Sequence, residues 1–143
     1  MLNTVINLQR KVKIDTKAFQ DFAKTLAETV EEARGRSFAV AMVSDQRMTD
    51  LNRIFRSKES TTDVLSFANE PEAFEFGILE NLGDIVISCE QAQRQACEAQ
   101  IPFEHEIKQL MLHGLLHLCG YDHEADNGEM NARELELRDK LGI

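Results

Sequence analysis

The run Phe38-Ala39-Val40-Ala41-Met42-Val43 is the longest uninterrupted apolar stretch of the sequence, and it indicates the fold class. Six consecutive apolar residues without alternating polar positions are typical of a strand that is buried on both faces of a sheet. Ser44 or Asp45 follows at once and can cap a helix, so the chain turns directly from strand to helix. The inward face of that helix is predicted to carry Met48, Leu51 and Phe55.

Strand and helix signals continue in both directions from this unit. Short apolar stretches predict further strands at residues 2–8, 63–67 and 83–87. Capping residues and apolar periodicity predict helices at residues 15–35, 88–100, 102–118 and from 126 onwards, with a surface loop or hairpin extension at 68–82. This order predicts an α/β (α+β) fold, in which a small four-stranded mixed sheet packs with about five helices. The 143 residues are expected to form a single domain over 1–143.

The composition argues against membrane and secreted proteins. A transmembrane helix needs about 20 apolar residues, and the longest run has six, so no membrane association is expected. The first residues lack the basic start and apolar core of a secretory signal, and the expected location is the cytoplasm. The three cysteines form no C-x-x-C pair, and in a reducing compartment they are expected to be small buried hydrophobic residues.

The net charge of −9 argues against a nucleic-acid-binding protein until its distribution is considered. Residues 1–60 carry 11 Lys and Arg against 8 Asp and Glu, a net of +3, whereas residues 61–143 carry 5 against 17, a net of −12. The first half contains a basic cluster of Arg47, Arg53, Arg56 and Lys58. Such a cluster is either a solvated helix face or a local site for an anionic ligand, because the local field governs how a phosphate docks.

Residues 113–123 read His-Gly-Leu-Leu-His-Leu-Cys-Gly-Tyr-Asp-His and contain three of the four histidines. His113 and His117 are four positions apart, so on a helix both rings project from one face. Gly120 is placed to end the helix in a left-handed conformation, which lets His123 turn back toward the other two rings. Three imidazoles with an open fourth position for water are typical of a zinc site. The sequence therefore predicts a single metal site at this helix end.

The histidine spacing matches the metzincin protease signature H-E-x-x-H-x-x-G-x-x-H with one difference. Gly114 stands where those proteases carry the glutamate that acts as general base. Glycine has no side chain that could accept a proton, so the pattern predicts a hydrolase-type metal site without standard peptidase machinery. The fourth histidine, His105, lies about 12 Å upstream along the helix and is not expected to be a ligand.

A second segment places Arg56 and Lys58 shortly before Thr62-Asp63-Val64-Leu65-Ser66-Phe67. A guanidinium near the metal would stabilise the negative charge of a phosphoryl transition state. The alternative is an exposed arginine near the C-terminal end of a helix, where the helix dipole favours positive charge.

These segments, together with Leu82-Gly83-Asp84-Ile85, resemble the bacterial YbeY family over nearly the whole chain. The resemblance implies a metal-dependent endoribonuclease that is specific for single-stranded RNA. It also implies a role in rRNA processing, with particular importance for the 3′ end of small-subunit rRNA, and in ribosome quality control. The implied partners are single-stranded and ribosomal RNA, and the small ribosomal subunit with its proteins or assembly factors.

The resemblance also assigns roles to individual residues. It implies one zinc-like ion on His113, His117 and His123, and Arg56 matches the functional arginine of the family. Zn²⁺ is the expected cofactor, and Ni²⁺ could take its place in vitro because three imidazoles suit both ions. The residues expected to bind RNA are Arg53, Arg56 and Lys58.

Two alternative functions stay open at this point. One is a zinc-dependent peptidase-like hydrolase that uses a distant carboxylate, and the other is a non-catalytic metal-binding factor in ribosome assembly. The general base of a nuclease is unassigned among Asp63, Asp84 and Asp122, and Asp122 could instead orient a ligand histidine. Thr61 and Ala68 stand where many family members carry proline, which affects the shape of the proposed groove.

Overall fold

The computed structural model of the chain describes residues 3–69 and 81–143. The strands in these ranges are β1 Thr4–Asn7, β2 Ser37–Val43, β3 Val64–Ala68 and β4 Asn81–Ser88. The helices are α1 Thr16–Thr29, α2 Asp45–Arg56, α3 Cys89–Ala99, α4 Phe103–Leu118 and α5 Glu129–Leu141. The predicted α/β fold, with a four-stranded sheet and five helices, is confirmed.

The strands form one mixed sheet in the order β1-β2-β4-β3. β2 runs parallel to β1 and β4, and β3 runs antiparallel to β4. The apolar run of residues 38–43 thus lies in an interior strand, where a lack of polar positions is expected. Its Phe38, Val40 and Met42 are fully buried on one face, while Ala39 and Ala41 on the other face are only partly covered.

Helices pack on both faces of the sheet. Consecutive residues of β4 belong to different apolar clusters, because side chains of a strand alternate between its faces. Ile85 belongs to the larger cluster, which joins the sheet to α1, α3, α4 and α5. Val86 belongs to the smaller cluster, in which Met48 of α2 packs against the opposite face. Helix α4 therefore lies on one face of the sheet and α2 on the other.

The first helix is shorter than the predicted span of residues 15–35. Asp15 caps it as expected, accepting a hydrogen bond from the backbone N–H of Ala18. Val30 then leaves the helical conformation with φ −82° and ψ 104°, and its side chain is fully buried. The chain continues as a 3₁₀ turn, Glu31–Ala33, and Gly35, with φ +78°, follows that turn. Gly35 therefore marks the end of the connection that follows α1, whereas α1 itself already ends at Thr29.

The predicted inward face of α2 is wrong at its last member. Met48 is buried and Leu51 half-buried, but Phe55 is 62% exposed. Asn52, only 2% exposed, takes the inward position one turn after Met48. Its side-chain N–H donates to the carbonyl of Ser60, whereas its buried Oδ1 has no hydrogen-bond partner among the described residues. The polar residue therefore packs inward and Phe55 turns to the surface.

Three further expectations have different outcomes. Of the predicted loop at 68–82, residues 70–80 lie outside the described residues, and 68, 81 and 82 belong to strands. Cys89 is buried and Cys119 is half-buried, but Cys97 is exposed, because it lies on the outer face of α3.

In the part of the chain that the structure describes, no helix is long and apolar enough to cross a bilayer.

Candidate metal centre and adjacent cleft

Three imidazoles converge at the C-terminal end of α4. His113 and His117 lie one turn apart on the helix, and Gly120, with φ +102°, reverses the chain so that His123 faces them. The three residues offer ligand atoms that all lie within 4.8 Å of one another. The structure thus brings together the three histidines that the spacing selects.

One pair of imidazole nitrogens has the separation expected for two ligands of a tetrahedral metal ion. Nε2 of His117 lies 3.2 Å from Nδ1 of His123, close to the separation of about 3.3 Å that two ligands at 2.0–2.1 Å from one tetrahedral ion would have. The other nitrogen of His117, Nδ1, donates to the carbonyl of Tyr121 at 3.0 Å. A carbonyl can only accept, so the proton is on Nδ1 and Nε2 presents a lone pair.

Burial keeps His117 in the form that binds metal. Loss of solvation lowers the pKa of His117, and the neighbouring His113 lowers it further. Only a neutral imidazole has a free lone pair, so this shift favours the ligand form at neutral pH.

A carboxylate from another helix orients His113. Oε1 of Glu134, in α5, lies 2.6 Å from Nδ1 of His113, and the other oxygen accepts from Arg138 at 2.6 Å. Burial opposes ionisation of Glu134, but the bonds and charges of His113 and Arg138 outweigh it and lower the pKa of the carboxyl. An ionised carboxylate can only accept, so the His113 proton is on Nδ1 and Nε2 is its free ligand atom.

A second set of contacts fixes the turn that holds His117. The hydroxyl of Tyr121 donates to Glu32 at 2.8 Å, and the guanidinium of Arg133, also in α5, makes two hydrogen bonds to the same carboxylate. The hydrogen bond from Arg133 is the largest cause of the low pKa of Glu32, about 2. Two adjacent residues of α5 thus support two of the three imidazoles. Glu134 contacts His113 directly, and Arg133 supports His117 through Glu32 and Tyr121.

A cleft of about 920 Å³ opens beside the imidazoles. Its walls are the C-terminal end of α2, strand β3, and the end of α4 with the following turn. Arg56 and Lys58 line it together with the three histidines. The loop after α2 is held by Asn52, whose backbone carbonyl accepts from the N–H of Lys58 and whose side chain bonds Ser60. The predicted catalytic arginine and the predicted metal ligands therefore share one cavity.

Arg53 has a different environment from Arg56. It is absent from the residues that line the cleft, and its guanidinium pairs with Asp50 at 3.3 Å on the exposed side of α2. Of the three cations expected to bind RNA, the structure brings two to the cleft and leaves this one on the adjoining helix surface.

Gly114 has a packing role that explains the absence of a side chain. A Cβ at this position would lie 2.7 Å from Cγ2 of the buried Ile85 and 3.2 Å from the hydroxyl of Ser66. That hydroxyl donates to the carbonyl of Gly114 at 3.1 Å and joins β3 to α4. Helix and sheet therefore approach each other so closely at this point that any side chain at position 114 would force Ile85 to shift.

The acidic candidates differ in availability. Both carboxylate oxygens of Asp63 accept hydrogen bonds, from Val64 N–H and from Gln95. Asp84 is exposed on β4 and is not among the residues that line the cleft. Asp122 lines the cleft and accepts from the N–H of Glu124. The carboxylate that contacts His113 is Glu134, and the histidine-orienting role considered for Asp122 stays a prediction.

Comparisons with known proteins decide the family. The sequence profile described as Endoribonuclease YbeY matches residues 4–142. The chain belongs to the YbeY endoribonuclease family. The Endoribonuclease YbeY of Sulfurovum sp. (strain NBC37-1) is 34% identical over 145 residues, covering 99% of this chain and 94% of that protein. That of Aquifex aeolicus (strain VF5) is 39% identical over 135 residues, covering 94% and 87%.

A solved structure supports the same fold. The solution structure of TM1509 from Thermotoga maritima superposes with a TM-score of 0.65 at 28% identity, covering 97% of this chain and 89% of that one. The resemblance seen in the sequence is thus confirmed, and with it the assignment to a family of hydrolytic nucleases.

The contacts that support the imidazoles are not predicted from the sequence. Glu134 and Arg138 are four positions apart on α5, a spacing that is typical of an exposed ion pair and gives no sign of a contact with His113. Ser66 lies within the segment that carries the family resemblance, but its partner Gly114 is 48 residues away in sequence.

Proposed function

We propose that the chain is a metal-dependent endoribonuclease that cleaves single-stranded RNA. We further propose that its substrate is ribosomal RNA, in maturation of the small-subunit 3′ end and in ribosome quality control, within the cytoplasm. The observation that supports the nuclease activity most directly is the shared cleft, in which Arg56 and Lys58 stand beside the three imidazoles. Membership of the YbeY endoribonuclease family supports the same reaction.

The proposed cofactor is one Zn²⁺ per chain, held by His113, His117 and His123. Ni²⁺ is expected to bind in vitro, because imidazole ligands accept both ions. When bound, zinc would supply Lewis-acid catalysis to the cleft. The fit rests on the 3.2 Å nitrogen separation and on the protons that Tyr121 and Glu134 hold on the opposite ring nitrogens.

The cations of the cleft are proposed to bind the phosphodiester. Arg56 would contact the non-bridging oxygens and stabilise the charge that develops on them, which is the catalytic role assigned to this residue. Lys58 would hold a neighbouring phosphate, and Arg53 would extend the basic surface beyond the cleft. Of the two candidate bases that line the cleft, Asp122 has fewer competing contacts, since both oxygens of Asp63 are engaged.

The charge distribution favours a guided encounter with RNA. The net charge of −9 opposes non-specific binding, while the basic cluster of the first half supplies a local phosphate site. We therefore propose that the small ribosomal subunit, its proteins or assembly factors bring the enzyme to its substrate. Binding to isolated RNA is expected to be weak and sensitive to salt.

The alternative functions receive less support. The standard peptidase base at position 114 would displace Ile85, so a peptidase would depend on a distant carboxylate of the cleft such as Asp63 or Asp122. A structural metal site would favour a fourth protein ligand. Among residues 3–69 and 81–143, the potential metal cluster contains three residues, all histidines.

The function is tested by cleavage of single-stranded RNA with highly purified protein. The His113→Ala and Arg56→Ala variants are expected to lose activity by at least about 100-fold, while Arg56→Ala keeps its metal. Lys17→Ala is the matched control, because this exposed cation pairs with Asp21 on α1, away from the cleft. Undiminished cleavage by both active-site variants would show that a contaminating nuclease is responsible.

A further inference from the structure

An exposed aromatic ring stands at the cleft. The large apolar side chains exposed in the described residues are Ile6, Leu8, Ile54, Phe55 and Leu135. Of these, Phe55 lines the cleft that contains the three imidazoles. Its 62% exposure needs an explanation, because an aromatic ring that buries so little of its area contributes little to the stability of the fold.

A second aromatic residue holds this ring in place. Phe67 of β3 also lines the cleft, and its ring centroid is 5.1 Å from that of Phe55 with an interplanar angle of 68°. This edge-to-face arrangement is the favourable geometry for two aromatic rings. Phe67 itself packs against the smaller apolar cluster, so Phe55 is tied to the sheet. The contact with Phe67 therefore favours one position of the exposed ring at the edge of the cleft.

The charges around the ring favour nucleic acid as its ligand. Arg56 follows Phe55 directly, Lys58 is three residues away, and both line the same cleft. Proteins that bind single strands combine cations for the phosphates with aromatic rings on which bases stack. Both components are present here within four residues, next to the imidazoles.

We propose that Phe55 stacks on an unpaired base of the RNA whose phosphates contact Arg56 and Lys58. This inference rests on the proposed ribonuclease function and extends it. A base inside a duplex is covered on both faces by its neighbours, so it can reach the ring only after leaving the stack. Phe55 would thus make this chain prefer single-stranded over double-stranded RNA.

A tryptophan at this position reports the contact directly. The chain contains no tryptophan, so Phe55→Trp places a single indole in the cleft. The control is Ile54→Trp, which places a single indole at a neighbouring exposed position outside the cleft. Each variant is titrated with a single-stranded 2′-O-methyl oligonucleotide and with a hairpin duplex of the same composition. Stacking is expected to quench the emission of Phe55→Trp several-fold more than that of Ile54→Trp, and only with the single strand.

Affinity measurements give an independent result. Phe55→Ala is expected to weaken binding of labelled single-stranded RNA about 5- to 150-fold, the range of one lost base stack, and Phe55→Tyr to retain it. Ile54→Ala is expected to bind as the wild type does. Because Phe55 is exposed, the alanine variant should fold, which a thermal melt checks.

The outcomes separate this inference from the function beneath it. If the wild type cleaves RNA and His113→Ala does not, yet Phe55→Ala binds single strands normally, stacking is refuted and the ribonuclease stands. Equal weakening for single strand and duplex would refute it in favour of general phosphate binding. A change in sedimentation without a change in RNA affinity would assign Phe55 to a protein interface. A wild type that neither binds nor cleaves RNA would overturn both.

Discussion

Replacing Glu134 should weaken metal binding although this residue is not a metal ligand. Its carboxylate lies 2.6 Å from Nδ1 of His113, is 8% exposed, and is held from the other side by Arg138. In Glu134→Gln, the amide oxygen can still accept from His113. The amide N–H₂ then faces the guanidinium of Arg138, and no hydrogen bond forms because both groups are donors. In Glu134→Ala, the acceptor is lost and the imidazole can rotate or change tautomer.

The size of the effect follows from what such partners contribute elsewhere. Loss of a group that orients a ligand histidine typically lowers metal affinity about 10- to 100-fold, or about 1.4–2.7 kcal/mol. We expect the glutamine variant of Glu134 near the lower value and the alanine variant near the upper. At saturating metal the same free energy is lost from the stability of the folded state. For a domain of this size, that corresponds to a melting temperature about 4–10 °C lower.

The assay is competition for Zn²⁺ with a chromophoric chelator, accompanied by thermal melts with and without metal. Asp139→Asn is the matched control, because it removes one negative charge from an exposed position of α5. A Kd for Glu134→Gln within about twofold of the wild-type value would refute the orienting role. An equal loss of stability with and without metal would also refute it, since Glu134 would then act through packing alone.

Three further results are expected. Gly114→Ala should lower the free energy of unfolding by about 1–2 kcal/mol in a urea titration, because the new Cβ overlaps Ile85. The gain in helix propensity offsets only part of this cost. Unchanged stability would mean that α4 and the sheet separate easily. The pKa of Glu32 is lowered to about 2, so its ion pair should stabilise the metal-free protein above about pH 5 and lose that contribution as the pH falls toward 2. Glu32→Gln should therefore be less stable by at most ~3 kcal/mol at pH 6 and should approach the wild type at pH 2, where a constant difference would contradict the assignment. Chelation of metal should lower the melting temperature of the wild type reversibly, with recovery on addition of Zn²⁺, and no change at all would indicate that the three imidazoles hold no ion.

Local spacing is sufficient to predict the histidine cluster, but not the groups that support it. His113, His117, Gly120 and His123 act within one helix end, so helical geometry and one left-handed glycine determine their arrangement. Glu134 is 21 residues from His113, and Glu32 is 89 residues from Tyr121. Contacts between residues so far apart in sequence depend on how elements such as α4 and α5 pack together. Apolar periodicity does not predict that packing.

Apolar periodicity also cannot show where a helix leaves the core. It predicts Phe55 inside α2, whereas the structure buries Asn52 and exposes Phe55. One contact that favours this arrangement is the hydrogen bond from the Asn52 side-chain N–H to Ser60, which satisfies the donor although Oδ1 has no partner among the described residues. Periodicity likewise does not show that Arg53 pairs with Asp50 outside the cleft that Arg56 lines.

The close contact between Gly114 and Ile85 limits the evolutionary routes open to this fold. Two of the four glycine codons, GGA and GGG, become glutamate codons by one nucleotide change, so only one substitution separates such a gene from the metzincin motif. Yet the first atom of that side chain would already meet Ile85 at 2.7 Å. Shrinking Ile85 first would leave a cavity in the core, and changing Gly114 first would strain it, so either order passes through a destabilised ancestor. Two enzymes can therefore share a histidine spacing and still be separated by intermediates that selection would remove.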